Sequence, residues 1–115
     1  MALESHDAYF AAVPDEVRPR LESIQAQVES LLPQAQRCIS YQMPAYRDRR
    51  VFFYFAAFKK HIGVYPPVTR DVALIEALAP YRGPKGNLIF PLNQPLPVKL
   101  IGRVAVALHA EYLSP

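Results

Sequence analysis

The chain has 115 residues, of which 51% are hydrophobic and 20% are charged, a composition typical of one globular domain with a single core. Its only cysteine is Cys38, which excludes an intrachain disulfide and metal sites of the CxxC kind. No apolar run reaches the roughly 18 residues of a membrane span, and the acidic start of the chain lacks the basic residues of a secretory signal. We therefore expect a cytoplasmic protein.

The formal net charge of +3 hides an uneven distribution. Residues 1–36 hold six acids against two arginines, a net of −4, whereas residues 37–115 hold eleven Lys or Arg against four acids, a net of +7. Two interpretations stay open: two solvated faces, or a basic surface that meets an anionic ligand or partner.

Two helices are predicted in the first third of the chain. Ser5 is a suitable N-cap for a short helix over residues 5–12. A longer helix over residues 14–32 is indicated by an apolar stripe that faces the core, and Pro19 predicts a kink or a late start. The stripe consists of Val17, Leu21, Ile24, Val28 and Leu31.

Acidic residues recur every seven positions on the long predicted helix, at Asp15, Glu22 and Glu29. This spacing predicts an exposed acidic ridge away from the apolar stripe. Neighbours in the ridge lie about 10 Å apart by helical rise, so no two of them can chelate one ion without other ligands.

From Cys38 the period of the pattern changes to two, which predicts strands. The first strand runs to Met43, where Pro44 places it at an edge or in a bulge, and residues 47–50 predict a hairpin loop. Residues 51–58 predict the central strand, with Phe52, Phe53, Phe55 and Phe58 in the core. A third strand is predicted over residues 61–65.

The remainder of the chain predicts helix, strand and helix. Thr69 is a candidate cap for a helix to about residue 79 with Val72, Ile75 and either Leu78 or Ala79 buried. A fourth strand covers residues 87–90, and the last helix starts near Pro97 with a stripe of Leu100, Ile101, Val104, Leu108 and Tyr112.

This order of elements predicts an α+β fold, a small two-layer sandwich of the order α-β-β-β-α-β-α. The first and last helices are expected on one face of a mainly antiparallel four-stranded sheet. The fourth strand can pair with the first or the third, and both a monomer and a homodimer agree with the pattern.

Basic and titratable residues at strand ends are the candidates for a binding site. Lys59 and His61 are two positions apart and share a face if both are extended. Lys85 lies between two glycines, but the loop lacks the Walker spacing of a phosphate loop. With hydroxyls of tyrosines, chiefly Tyr41 and Tyr65 and also Tyr46 and Tyr81, these groups predict a pocket for a small anionic ligand; the alternative is that each is simply solvated.

Enzymes and nucleic-acid binders find less support in the residues. The sequence has no Ser/His/Asp motif and no GxSxG, and although His61 could act as a base, no nucleophile accompanies it. We therefore predict no catalytic activity. A basic sheet with interleaved aromatics is typical of proteins that bind single strands, but the phenylalanines of residues 52–58 are expected in the core and no RNP-like, helix-turn-helix or zinc motif is present.

Three segments carry a family resemblance: ISYQMPAYR, FFYFAAFKKHIGVYP and YRGPKGNLIFPLNQPLP, behind a helix introduced by VPDEVRPRLESI. In this order they resemble the YdhG-like family of small bacterial proteins, a domain of unknown function. The family motif runs through Tyr41, Met43, Pro44, Lys59, His61, Tyr65, Lys85 and Gly86.

The resemblance implies a function linked to iron, because members are frequently described as frataxin-like intracellular iron chaperones. It implies an iron site formed by carboxylates of the first long helix, Asp15, Glu16, Glu22 and Glu29, with His61 as a nitrogen ligand. Iron–sulfur assembly proteins would then be partners. Two hypotheses follow: an iron chaperone working through the acidic ridge, and a binding module for a small anionic ligand or a protein partner that uses Lys59, His61 and Lys85.

Overall fold

The computed structural model describes residues 5–113. Its helices and strands follow one another in this order: α1 (His6–Ala12), α2 (Arg18–Leu31), β1 (Gln36–Ser40), β2 (Met43–Asp48), β3 (Arg50–Ala57), β4 (His61–Tyr65), α3 (Val72–Ala77), β5 (Leu88–Pro91) and α4 (Val98–Leu113). A short 3-10 turn, Ala79–Tyr81, follows α3.

The strands form one antiparallel sheet in the order β1-β2-β3-β4-β5. The α+β class and the central position of β3 are therefore confirmed, and β5 settles the open pairing by joining β4. The predicted count of four strands is wrong, because the stretch interpreted as one strand ending at Met43 is the β1–β2 hairpin. Tyr41 and Gln42 form its two-residue turn with φ of 51° and 62°, the combination of a type I′ turn.

Two further expectations about this hairpin region are corrected. Pro44 lies in an inner strand, and the register shift falls between Tyr46 and Arg47. Pro44 is tolerated because β2 comes into register with β3 only from Ala45 onward. The predicted loop over residues 47–50 shrinks to Arg49, with φ 66°, since the flanking residues remain paired in β2 and β3.

Helices α2 and α4 pack together against one face of the sheet, as predicted. Helix α2 begins late, at Arg18, with Pro19 in its first turn. Its stripe is confirmed except at the last position, where Leu31 is 44% exposed and Leu32 is buried instead. The apolar side of α4 is confirmed, with Ile101, Val104 and Leu108 fully buried.

Helix α3 differs in cap and buried side from the expectation. Asp71 is its N-cap and accepts from the Leu74 backbone N–H at 3.0 Å. Thr69 instead donates its hydroxyl and its backbone N–H to Glu111 of α4. Val72, which was expected to be buried, is 67% exposed, whereas Leu74 is buried in its place and Leu78 is buried as predicted.

Helix α1, capped by Ser5 as predicted, is held to the sheet by His6, a residue that is 2% exposed. Nε2 of His6 donates to the carbonyls of Cys38 and Ala45, at 3.1 and 3.0 Å, and Nδ1 accepts from the Gln25 amide at 3.1 Å. These bonds fix the neutral tautomer, and burial lowers the pKa of His6. None of the described helices is long and apolar enough to cross a membrane.

Candidate functional site

The two faces of the sheet differ in what they carry. Residues directly opposite in antiparallel strands project to the same side, so the register assigns each side chain to a face. The first face lies beneath the helices, and its central residues, such as Phe55 and Val64, are fully buried. The second face carries half-buried side chains at Tyr54 and Tyr65, which lie directly opposite each other.

Tyrosines form one end of the second face. The ring of Tyr41, on the tip of the β1–β2 hairpin, lies 5.9 Å from the ring of Tyr54. Tyr41 is 83% exposed, and Tyr65 is the neighbour of Tyr54 on β4. Three tyrosines thus follow one another across three segments of the chain.

The absence of a side chain at Gly63 leaves space for two aromatic rings of this face. A Cβ atom at Gly63 would lie 2.6 Å from Oη of Tyr65, closer than such atoms approach, and 3.0 Å from Cε2 of Phe58, which is a tight contact. The ring of Tyr65 therefore lies down over the glycine backbone and meets the ring of Phe58 there. Only glycine allows this approach.

Phe58 and His61 form the other end of the second face. Their ring centroids are 4.9 Å apart with an interplanar angle of 20°. The prediction that Phe58 belongs to the core is wrong, since it is 43% exposed. Alternation along β3 places it on the face of Tyr54 and Ala56, and its backbone N–H bonds the His61 carbonyl at 2.8 Å to close the turn.

A shallow groove of about 660 Å³ adjoins His61. It is lined by Lys59, Lys60, Pro91, Leu92 and Asn93, and Pro91 is the register partner of His61.

The wall of this groove is held from the helical layer. Arg20 of α2 donates to the carbonyls of Leu92 and Gln94 at 2.9 and 2.8 Å. The Leu92 backbone N–H bonds the Lys60 carbonyl at 2.9 Å. The two lysines therefore border a segment that is fixed in place.

Lys85 lies at the opposite end of β4 from Lys59. Its loop is closed by a bond from the Gly83 N–H to the Asn87 carbonyl at 2.7 Å and leads into Leu88, which pairs with Val64. His61 pairs with Pro91, three residues further along β5, a separation of about 10 Å along the strand. Lys59 is not extended but lies in the turn that Phe58 and His61 close, whereas Lys85 lies at the end of β4 where Tyr65 stands.

The second face bears basic residues and no carboxylate within the described chain. Arg47 shares this side with Cys38; burial raises the pKa of the Cys38 thiol, and the charge of Arg47 opposes the rise. The described acids lie on or beside the helices, except for Asp48 at the end of β2: Asp7, Asp15, Glu16, Glu22, Glu29, Asp71, Glu76 and Glu111. Asp48 accepts from His109 of α4 at 2.8 Å, which directs it to the helical layer.

The acids of the predicted ridge are separated by their local structure. Asp15 precedes α2 and forms a salt bridge with Arg18 at 3.0 Å. Glu16 and Glu22 are exposed. The uniform exposed ridge is therefore wrong at Glu29, which is half-buried.

Glu29 is engaged on both carboxylate oxygens. Arg37 donates Nε and Nη2 to them at 2.5 and 3.0 Å, and the hydroxyl of Tyr46 donates at 2.7 Å. The bond from Arg37 and that from Tyr46 lower the pKa of Glu29, while burial raises the pKa of Tyr46 well above its usual value. Among residues 5–113, no group of three or more His, Cys, Asp or Glu side chains is placed to hold a metal ion.

Three residues of this face escaped the sequence reasoning: Tyr54, Phe58 and Gly63. Tyr54 and Phe58 were absorbed into the apolar run of the central strand. Alternation along the strand could have identified them. Tyr54, Ala56 and Phe58 are each two positions apart and project to one face, whereas Phe53 and Phe55 project to the other. A glycine inside a strand predicts a close approach at Gly63, but it does not identify Tyr65 and Phe58 as the residues that approach.

Comparison with known proteins bears on the fold. No family model and no curated protein matches the chain. Among solved structures, the chain is similar to the crystal structure of a DUF1801-family protein, YdhG, from Bacillus subtilis. The TM-score is 0.76 with 20% sequence identity, over 94% of this chain and 90% of that one. The likeness establishes a shared fold.

Proposed function

We propose that the chain is a YdhG-like protein of the DUF1801 kind that acts as a non-catalytic binding module for an anionic ligand on the second face of its sheet. Family membership is supported by the shared fold together with the three sequence segments that resemble the family. The binding role is supported by the residues that this face presents.

The observation that carries the binding role is the pair of Lys59 and Lys60 at one groove beside His61, with no carboxylate among the residues that line it. Neither lysine forms a salt bridge within the part of the chain that the structure describes. An anion entering the groove would meet two ammonium groups and the Asn93 amide without displacing an internal partner.

Inorganic pyrophosphate, followed by amide chemical shifts, tests this role. We expect saturable shifts at Lys59, Lys60, His61 and Asn93, and their loss in the Lys59→Ala/Lys60→Ala variant. Lys99→Ala, which removes an exposed lysine of α4, is the matched control and should bind as wild type. Shifts spread evenly over all basic residues, or equal loss in the control, would refute a site at this groove.

Iron carriage is the competing proposal, and it rests on the family resemblance. The local structure weighs against it, because iron at Glu29 would have to displace Arg37 and Tyr46, and iron at Asp15 would compete with Arg18. Titration with ferrous iron decides: saturable binding that Glu22→Ala or Asp15→Ala weakens would favour the iron carrier over the anion module.

A further inference from the structure

We propose that the ligand of the second face is single-stranded nucleic acid, with its bases stacked on the exposed rings and its phosphates held by the flanking basic residues. The inference rests on the proposed function and gives the chemical class of the ligand. It departs from the expectation that the phenylalanines of residues 52–58 all belong to the core, since Phe58 lies on the surface.

The rings of the second face form a row with two ends. Tyr41, Tyr54 and Tyr65 make one, and Phe58 with His61 makes the other. Tyr65 and His61 are four residues apart on β4, about 13 Å along an extended strand. The Tyr65 ring lies beside Gly63 and is half-buried, so part of the ring is accessible to a ligand. Aromatic rings on the open face of an antiparallel sheet stack two or three bases in known RNA-binding modules.

Basic residues stand at both ends of the row of rings. Lys59 and Lys60 lie beyond His61, whereas Arg82 and Lys85 lie in the loop that leads into Leu88, at the end where Tyr65 stands. One small anion cannot contact both groups, because the length of β4 separates them. An extended polyanion can contact both, and its bases would then pass over the rings between them.

The charge of the molecule fits such a partner. The sequence pI is about 9.2, and no described acid shares the second face with Arg47 and the rings. A basic face with exposed aromatics is complementary to phosphates and bases together, whereas an acidic peptide would match the charge and leave the rings without stacking partners.

Fluorescence anisotropy with a labelled eight-nucleotide oligothymidylate tests the proposal. We expect saturable binding that falls with added salt. Tyr65→Ala and Phe58→Ala should each weaken it about tenfold, as loss of one stacked base does. Lys59→Ala should reduce the slope of log affinity against log salt by roughly one. Circular dichroism melts verify that each variant is folded.

Matched controls lie in the helical layer, where Tyr112→Ala removes an aromatic ring and Lys99→Ala an exposed charge; both should bind as wild type. A duplex of the same length should bind at least fivefold more weakly, since its base faces are covered. Equal affinity for the duplex or for inorganic polyphosphate of matched charge would overturn base stacking.

Binding of a single nucleotide distinguishes this inference from the proposed function. If thymidine monophosphate binds as tightly as the oligonucleotide, or if pyrophosphate shifts the groove while the oligonucleotide does not bind, the extended ligand is refuted and the anion module stands. If neither pyrophosphate nor the oligonucleotide binds, both proposals fall.

Discussion

Replacing Glu29 by alanine should destabilise the protein far more than replacing Glu22, although both are glutamates of α2. Glu29 joins α2 to β1 and β2, because it accepts from Arg37 and from the hydroxyl of Tyr46, a residue with no exposed surface. Glu22 is exposed, and no described hydrogen bond involves it. The two substitutions therefore remove the same charge from one helix in different surroundings.

The expected magnitude follows from the separate contacts. A hydrogen bond to a charged group stabilises by about 1.5–3 kcal/mol. The ion pair with Arg37 adds at most about 1 kcal/mol, because its partners are 47% and 33% exposed. The Tyr46 hydroxyl keeps a long contact with the Gln25 carbonyl at 3.4 Å, which limits the penalty. We expect Glu29→Ala to cost about 2 kcal/mol and Glu22→Ala less than about 0.5 kcal/mol.

Urea unfolding at pH 7 measures both variants, with Tyr46→Phe added to complete a double-mutant cycle. The Glu29→Ala and Tyr46→Phe effects should be less than additive, since they break the same bond. The lowered pKa of Glu29 means that its contribution is present above the unfolded pKa of 4.5 and is lost as the pH falls through the folded value. The difference between wild type and Glu29→Ala should therefore shrink toward pH 3. Equal stability of the two glutamate variants at pH 7 would refute the reasoning.

Three further outcomes are expected. The pKa of His6 is lowered in the folded state, so the free energy of unfolding of the wild type should fall as the pH drops below about 6.5. The slope should be at most about 1.4 kcal/mol per pH unit. Urea titrations of His6→Gln should show no such slope. The Tyr41→Asn/Gln42→Gly variant should raise the melting temperature by several degrees, since both residues adopt positive φ; an unchanged or lower value would contradict strain at the turn. Ile24→Ala, at a fully buried site, should cost about 2–5 kcal/mol in urea unfolding, against less than about 0.5 kcal/mol for Val72→Ala at 67% exposure; similar losses would contradict the assigned core.

The elements that the sequence predicts well are those whose signals are local. The helix stripe of Leu21, Ile24 and Val28 needs only a period of 3.6, and β4 is bounded on both sides by turn residues. Prediction fails where a tertiary contact overrides the local pattern. Thr69 has a side chain that can cap a helix, but its hydroxyl donates to Glu111 of α4, and Asp71 caps α3 instead.

The sequence predicts some residues of the second face and not others, for a similar reason. Lys59, His61 and Tyr65 stand out as polar groups that a core does not need. The placement of His61 and Tyr65 on one side of β4 follows from alternation alone, whereas Lys59 lies in the preceding turn. The roles of Tyr54 and Phe58 depend on which face the helices cover, a fact that an apolar strand cannot reveal by itself. The position of Lys85 depends on the pairing of β5, which the sequence left open.

The β1–β2 turn, which the sequence pattern does not predict, also carries Tyr41 of the proposed binding face. Tyr41 and Gln42 occupy positions where Asn and Gly are favoured, so the alternating pattern lacks the usual turn residues and predicts a continuous strand. The same choice of residues destabilises the turn and sets an 83% exposed ring beside Tyr54. An exposed ring at a strained position gives little to the core, which agrees with the proposed role of Tyr41 in stacking a base. If the Tyr41→Asn/Gln42→Gly variant is more stable and binds oligothymidylate more weakly, the strained turn holds a ring that contacts the ligand. If the variant is more stable and binds with full affinity, Tyr41 lies outside the binding surface.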